Sequence, residues 1–109
     1  MKDDRIYLSH IRDAIHQILD YTAGGYEEFR KDRKGQDAVI RNFEIIGEAV
    51  KRLSQGVRTQ NDDIPWKKIA GLRDELIHEY FGVDLKIVWN IVENELPRLR
   101  DKVDLLLKR

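Results

Sequence analysis

The chain has 109 residues, a length that predicts one domain spanning residues 1–109 around a single core. Charged residues make up 37% of the sequence, but 20 basic residues balance 20 acidic ones and 41% of residues are hydrophobic, so the composition excludes disorder driven by charge excess. Zero net charge also excludes a general attraction to nucleic acids or anionic membranes, and the absence of cysteine excludes disulfide scaffolds and thiolate metal sites.

The N-terminal segment MKDDRIYLSH lacks the apolar run of a signal peptide. No apolar run approaches the roughly 20 residues that are needed to span a bilayer. We therefore expect a cytoplasmic chain without a membrane segment, which agrees with the lack of cysteine.

Apolar residues recur at intervals of three and four, which predicts an all-α fold. We expect an antiparallel bundle of about four main helices with short additional helices. The first helix is predicted from about Asp4 to Thr22 and ends at Gly24 and Gly25. Its apolar stripe consists of Leu8, Ile11, Ile15, Ile18 and Tyr21. The charged segment 26–35 is either a helical turn or an exposed connector.

A second long helix is predicted from about Gln36 to Leu53, and Gly47 within it indicates close helix packing. Its predicted inward residues are Val39, Ile40, Phe43, Ile46, Val50 and Leu53. The polar segment 54–64 is predicted to be a loop. Two short helices are expected to follow, one over residues 65–70 and one over residues 72–81.

Asp84 is predicted to cap the last helix, in which Pro97 causes a kink or a restart because proline cannot donate a helical hydrogen bond. The apolar seam of this helix consists of Leu85, Val88, Val92, Leu96, Leu99, Val103 and Leu106, with Trp89 beside it. Ile87, Ile91 and Leu105 lie off the seam. We expect some of these three residues to face a second copy of the chain.

Few side chains offer reactive chemistry. The sequence has no His-Glu-x-x-His zinc motif, glycine-rich phosphate loop or Gly-x-Ser-x-Gly elbow. His10 and His16 are separated by about 240° around a helix and make a poor metal pair, so both are predicted to be solvated. We expect no metal and no cofactor.

The third histidine belongs to a more specific pattern, Arg73-x4-His78-x-Tyr80. The same Arg-x4-His spacing joins Arg5 to His10, but no tyrosine follows there. A purely structural interpretation places Tyr80 in the core, Arg73 in a surface ion pair and His78 in solvent.

This pattern resembles the signature of HEPN-domain ribonucleases and, more narrowly, of HepT toxins from HepT/MntA toxin–antitoxin pairs. Residues 43–54, 64–66, 81–84, 88–89 and 96–97 are also similar to that family. The resemblance implies an all-α homodimer with metal-independent endoribonuclease activity. It also implies a partner, an MntA-like nucleotidyltransferase antitoxin that silences the toxin by adding AMP to Tyr80. Many relatives have asparagine after the motif arginine, whereas this chain has Asp74.

On one ideal helix, Arg73 and His78 point about 140° apart, whereas Arg73 and Tyr80 lie within about 20° of each other. Either Arg73 sits at a frayed helix terminus, or two protomers share a composite site, which we favour. In such a site His78 transfers protons and Arg73 stabilises charge on an RNA phosphate. Asp74 either orients His78 or is an ordinary acid at a helix N-terminus.

Three basic clusters, Arg30/Lys31/Arg33/Lys34, Lys51/Arg52/Arg58 and Lys67/Lys68, either contact RNA or are solvated faces. Glu44 and Glu48 either form a surface pair or line the cleft.

The leading functional hypothesis is an endoribonuclease toxin with Arg73 and His78 as its catalytic pair. The alternative is a noncatalytic helical binding subunit of a minimal nucleotidyltransferase.

Overall fold

The computed structural model describes residues 2–72, 74 and 84–109, and these residues form helices and turns without a strand. The helices are α1 (Lys2–Tyr21), α2 (Tyr26–Phe29), α3 (Arg33–Arg52), α4 (Gln55–Gln60), α5 (Trp66–Ala70), α6 (Leu85–Asn90) and α7 (Leu96–Leu107), with a π-helical turn over Ile91–Glu95. The all-α prediction is confirmed, with three long helical runs packed together. The short helix predicted over residues 72–81 falls largely outside the described residues. No described helix has the length and apolarity to cross a membrane.

The core lies where α1 packs along α3 and against α7, and the buried residues of these three helices belong to one cluster. The predicted seam residues Ile11, Phe43 and Val103 are almost fully buried. Tyr21, by contrast, is 43% exposed, so its predicted place in the α1 stripe is wrong. Its position is rotated by about 100° from the centre of the stripe, whereas Thr22 continues the stripe and is buried.

The charged segment after α1 contains a helical turn and not merely a connector. Gly25, whose φ of 91° favours glycine, precedes α2, and Phe29 at the end of α2 is buried. The Phe29 ring lies 5.6 Å from the Trp89 ring, between centroids. This aromatic contact holds α2 against α6, so a segment with only two apolar residues still folds.

The prediction of a loop over residues 54–64 is wrong, because Gln55–Gln60 forms α4. Ser54 caps this helix, and its Oγ accepts a hydrogen bond from the Val57 backbone nitrogen at 3.3 Å. The Ser54 hydroxyl and backbone nitrogen both donate to the Asp4 carboxylate at 2.7 Å. Asp4 is buried, so this network joins the start of α1 to the junction of α3 and α4.

Helix α5 follows Pro65, as predicted, and its C-terminal end packs directly on the backbone of α3. A β-carbon placed on Gly47 would lie 3.3 Å from the Ala70 carbonyl oxygen and 3.5 Å from that of Ile69. Such a contact is tighter than a β-carbon normally makes, and its partner here is backbone. Gly47 therefore permits the close packing that the sequence predicted.

The last helical run begins as predicted, with the Asp84 side chain accepting from the Lys86 backbone nitrogen at 2.9 Å. The π turn covers Glu93, whose carbonyl Pro97 cannot bond, so the predicted interruption occurs just before the proline. Ile91 is only 5% exposed, which contradicts its predicted place off the seam. Because the π turn changes the angular spacing, Ile91 faces the core together with Val92.

Replacing Asp4 with alanine should lower the free energy of unfolding by about 1–3 kcal/mol, because the donors of Ser54 lose a charged acceptor. Urea unfolding measures the effect. Asp3→Ala is the matched control, since Asp3 is exposed and lies in the same first turn of α1. The control should change stability by less than about 0.5 kcal/mol. Equal losses in the two variants would contradict a specific role for the Asp4 network.

Replacing Gly47 with valine should destabilise the fold by about 1–3 kcal/mol, because the added atoms push α5 away from α3. Gly56→Val serves as the control, because the nearest atom to a β-carbon there is the Ser54 Oγ at 3.8 Å. Thermal unfolding of both variants should show a lower melting temperature for the Gly47 variant alone. A similar shift in both would mean that valine in a helix, and not the α5 contact, causes the loss.

Candidate functional site

The candidate motif is bounded in the structure by Leu72 on one side and Asp84 on the other. Arg73, His78 and Tyr80 lie outside the described residues, so their predicted roles stay predictions. Asp74 is described and is exposed. The described residues therefore show how the chain is held on both sides of the motif.

The segment that leads to the motif is anchored by apolar packing. Leu72 is only 3% exposed and borders a narrow apolar crevice with Phe43 of α3, Ile69 of α5 and Leu99 of α7. Because these residues come from three helices, the chain is fixed in place directly before Arg73. On the other side of the motif, Asp84 caps α6, and Val88 on that helix is fully buried.

Charged contacts tie α5 and the turn before it to the last helical run. Lys68 of α5 donates to Glu95 in the π turn at 2.7 Å. Arg98 donates to the Asp63 carbonyl at 3.2 Å, and Lys102 lies 3.0 Å from the Asp63 carboxylate. The hydrogen bond from Lys102 lowers the pKa of Asp63 below its ordinary value of 3.8. Asp63 therefore keeps its charge, and its contact with α7, to a lower pH than an unperturbed aspartate would.

The other histidines are placed as predicted, because His10 and His16 are both exposed on α1. The His10 ring makes an edge contact with Tyr7, with 6.1 Å between centroids. Within residues 2–72, 74 and 84–109, no three His, Cys, Asp or Glu side chains are grouped so that they could hold a metal.

Glu44 and Glu48 line a groove between α1 and α3. Tyr7 and His10 form its α1 side, and Glu48 also lies 3.7 Å from Lys51 on the same helix. The described lining of this groove does not include Leu72 or Asp74. Its relation to the predicted cleft stays a prediction.

The structure regroups the predicted basic clusters. In the first cluster Arg30 contacts Glu27 and Arg33 contacts Asp37. In the second, Lys51 contacts Glu48, and Arg52 lines the α1–α3 groove. Arg58 leaves that cluster and lines a groove between α4 and α5 together with Lys67 and Lys68.

The α4–α5 groove was missed at the level of sequence, because residues 54–64 were expected to be a loop. The available signal was Ser54, a strong helix-capping residue placed directly after a long helix. No sequence signal predicted the Lys68–Glu95 contact. It joins residues 27 positions apart, and Glu95 lies within the π turn.

Comparisons with known proteins show which family this sequence resembles. Residues 11–106 match the family described as "Ribonuclease HepT-like". A protein from Caldanaerobacter subterraneus subsp. tengcongensis whose name marks it as a candidate RNase is 43% identical over 110 residues, covering 100% of this chain and 98% of its own length. The "Probable ribonuclease HepT" of Thermococcus cleftensis is 43% identical over 103 residues, covering 94% of each chain.

A longer relative from Methanocaldococcus jannaschii is named as a gamma-glutamylcyclotransferase and candidate RNase. It is 46% identical over 103 residues, which cover 94% of this chain and 46% of that protein. No solved structure shows a significant match. The family match over most of the chain confirms the resemblance predicted from the motif, and the chain belongs to the HepT-like ribonuclease family.

Proposed function

We propose that this protein is a metal-independent endoribonuclease toxin in which Arg73 and His78 form the catalytic pair. The observation that carries the proposal is family membership over residues 11–106, combined with the intact Arg73-x4-His78-x-Tyr80 pattern inside that range. The anchoring of Leu72 and the capping of α6 by Asp84 support it, because a catalytic motif needs fixed supports on both sides.

The reaction is cleavage of an RNA phosphodiester by the neighbouring 2′-hydroxyl group. The 2′-oxygen forms a bond to phosphorus while the bond to the 5′-oxygen breaks, which leaves a 2′,3′-cyclic phosphate and a free 5′-hydroxyl. One proton must leave the attacking oxygen and one must reach the departing oxygen. Negative charge develops on the nonbridging oxygens and requires stabilisation.

Arg73 and His78 match these requirements. Histidine titrates near neutral pH, so His78 transfers a proton to or from the reacting oxygens. Arginine remains charged and forms two parallel hydrogen bonds with a phosphate, so Arg73 stabilises the transition state. Asp74 is exposed and precedes His78 by four residues in the sequence, and a carboxylate beside His78 would favour the protonated imidazole and so a general acid.

The proposed active unit is a homodimer with a composite site. On one ideal helix Arg73 and His78 diverge by about 140°, and a twofold axis beside the motif would bring one residue from each protomer together. Ile87 and Leu105 in the last helical run are 44% and 47% exposed, and these apolar side chains support a second copy as their cover.

The proposed partner that controls the enzyme is an MntA-like nucleotidyltransferase antitoxin acting on Tyr80. The AMP group brings a negative phosphate and a bulky nucleoside beside Arg73. It therefore neutralises the charge that binds the RNA phosphate and blocks access of the RNA backbone. The modification should inactivate the enzyme without unfolding it.

Purified protein should cleave RNA in excess chelator, and His78→Ala or Arg73→Ala should reduce the rate at least about 100-fold, because each removes a group that acts in the transition state. Gel analysis of a labelled RNA measures the rate. His16→Ala, on the exposed face of α1, is the matched control and should retain activity. Equal cleavage by all the variants would mean contamination, and no cleavage by any would favour the noncatalytic binding subunit.

Mixing the Arg73→Ala and His78→Ala proteins tests the composite site within the same assay. Mixed dimers then contain one site with both catalytic groups, so about a quarter of native activity should return when the subunits exchange freely. No recovery despite subunit exchange, measured by native mass spectrometry, would place both groups of a site on one protomer.

Incubation with the cognate nucleotidyltransferase, ATP and Mg²⁺ should add increments of about 329 Da to the native chain, one AMP residue each, and abolish cleavage. Tyr80→Phe should block the addition and keep most of the ribonuclease activity, because phenylalanine lacks only the acceptor hydroxyl. Intact-mass spectrometry measures the addition. Tyr21→Phe is the control, since Tyr21 is exposed on α1 and should leave labelling unchanged. Undiminished labelling of the Tyr80 variant would move the acceptor to another residue.

A further inference from the structure

The groove between α4 and α5 is a second candidate for contact with substrate. Its lining includes Arg58 from α4, Asp62 and Pro65 from the connecting turn, and Trp66, Lys67 and Lys68 from α5. The proposed catalytic mechanism uses none of these side chains. Lys67 and Lys68 stand on the helix that leads through Gly71 and Leu72 to Arg73.

Buried hydrogen bonds hold the two sides of this groove together. The Asn61 side chain donates to the Val57 carbonyl at 2.8 Å, and the Asn61 carbonyl accepts from the Trp66 indole at 2.9 Å. Asn61 and Trp66 are both buried. Arg58 and Lys67 are therefore presented from helices whose relative position is fixed.

Two of the three cations of this groove have no neutralising ion pair within the described part of the chain. Lys68 contacts Glu95, but Arg58 and Lys67 make no ion pair with any residue in the described part of the chain. Asp62 is the one carboxylate among the described lining residues, since Asp63 is held by Lys102 on the last helix. A chain with zero net charge thus keeps a local positive surface beside the segment that leads to the motif.

The chemistry of the groove favours a nucleic acid over a protein. The centre of a protein interface needs exposed apolar anchors and is poor in lysine. Here Trp66 and Ile64 are buried, and the most exposed large apolar side chains in the described ranges, Ile6, Tyr21, Ile87 and Leu105, lie elsewhere. Spaced, unpaired cations are the groups that bind successive phosphates of a single strand.

We propose that the α4–α5 groove binds the RNA backbone next to the cleaved bond, with Arg58 and Lys67 contacting phosphates. This inference rests on the proposed ribonuclease function and extends it by a substrate-binding surface outside the motif. Asp62 opposes binding in this arrangement, because its carboxylate faces the same backbone.

Binding of a labelled single-stranded RNA of about 15 nucleotides tests the groove. The full chain carries His78→Ala in every sample, so that the RNA is not cut, and fluorescence anisotropy gives the Kd at several salt concentrations. Adding Arg58→Gln and Lys67→Gln together should raise the Kd about tenfold at low salt and reduce the slope of log Kd against log salt by about 1.4, or about 0.7 per lost phosphate contact.

The matched control is Lys31→Gln with Lys34→Gln, which removes two exposed lysines that also make no ion pair with a described residue. Its Kd and salt slope should match those of the His78→Ala parent. Asp62→Asn should instead tighten binding, since it removes the repelling charge. Unchanged binding in the Arg58/Lys67 variant, or equal weakening in the control, would overturn the proposal.

A separate pull-down with the nucleotidyltransferase tests whether the groove binds a protein partner instead of RNA. Loss of that complex in the Arg58/Lys67 variant, with RNA affinity intact, would assign the groove to protein docking and overturn the RNA proposal.

Cleavage assays distinguish failure of the groove proposal from failure of the proposed catalytic function. If native protein and His78→Ala cleave alike while the groove variants bind RNA less tightly, the catalytic assignment fails and the groove assignment stands.

Discussion

The Ala70 carbonyl lies 3.3 Å from where a β-carbon on Gly47 would stand, and this contact sets the position of α5 on α3. Position 47 carries no side chain, so α5 approaches the α3 backbone without this tight contact. Gly71 and Leu72 follow without a break, so the chain reaches the motif from a helix seated on the core backbone. Lys68, through Glu95, and the buried Leu72 then fix the direction of that segment.

The apolar seams and helix boundaries were largely predictable from sequence, because burial of one face imposes the periodicity of three and four residues. The exceptions have local causes. Tyr21 departs from the stripe by rotation at the end of α1, and Ile91 turns inward because the π turn changes the angular spacing. The α4 helix was missed because it has no fully buried residue to give an apolar pattern, and the Ser54 cap and the distant Asp4 help to hold it.

For the candidate site, the sequence predicted which residue types take part but not how they are arranged in space. The pattern of Arg73, His78 and Tyr80 resembles a family signature, but spacing alone leaves Arg73 and His78 divergent on one ideal helix. The charged contacts that support the motif, such as Lys68 with Glu95, join residues far apart in sequence. The sequence does not indicate which residues form such pairs, since each surface cation has many anions that could be its partner.

The neutral balance of the chain also bears on the proposed control by AMP addition. Of the basic residues outside the motif, Arg30, Arg33 and Lys102 have their charges offset by nearby carboxylates. In the proposed arrangement, the positive charge that binds RNA would come from Arg73 and the cations of the α4–α5 groove. In a strongly basic nuclease one added phosphate would change a small part of that field. Under the proposed control by AMP addition, a phosphate on Tyr80 would offset the charge of Arg73, so one modification would be expected to suffice.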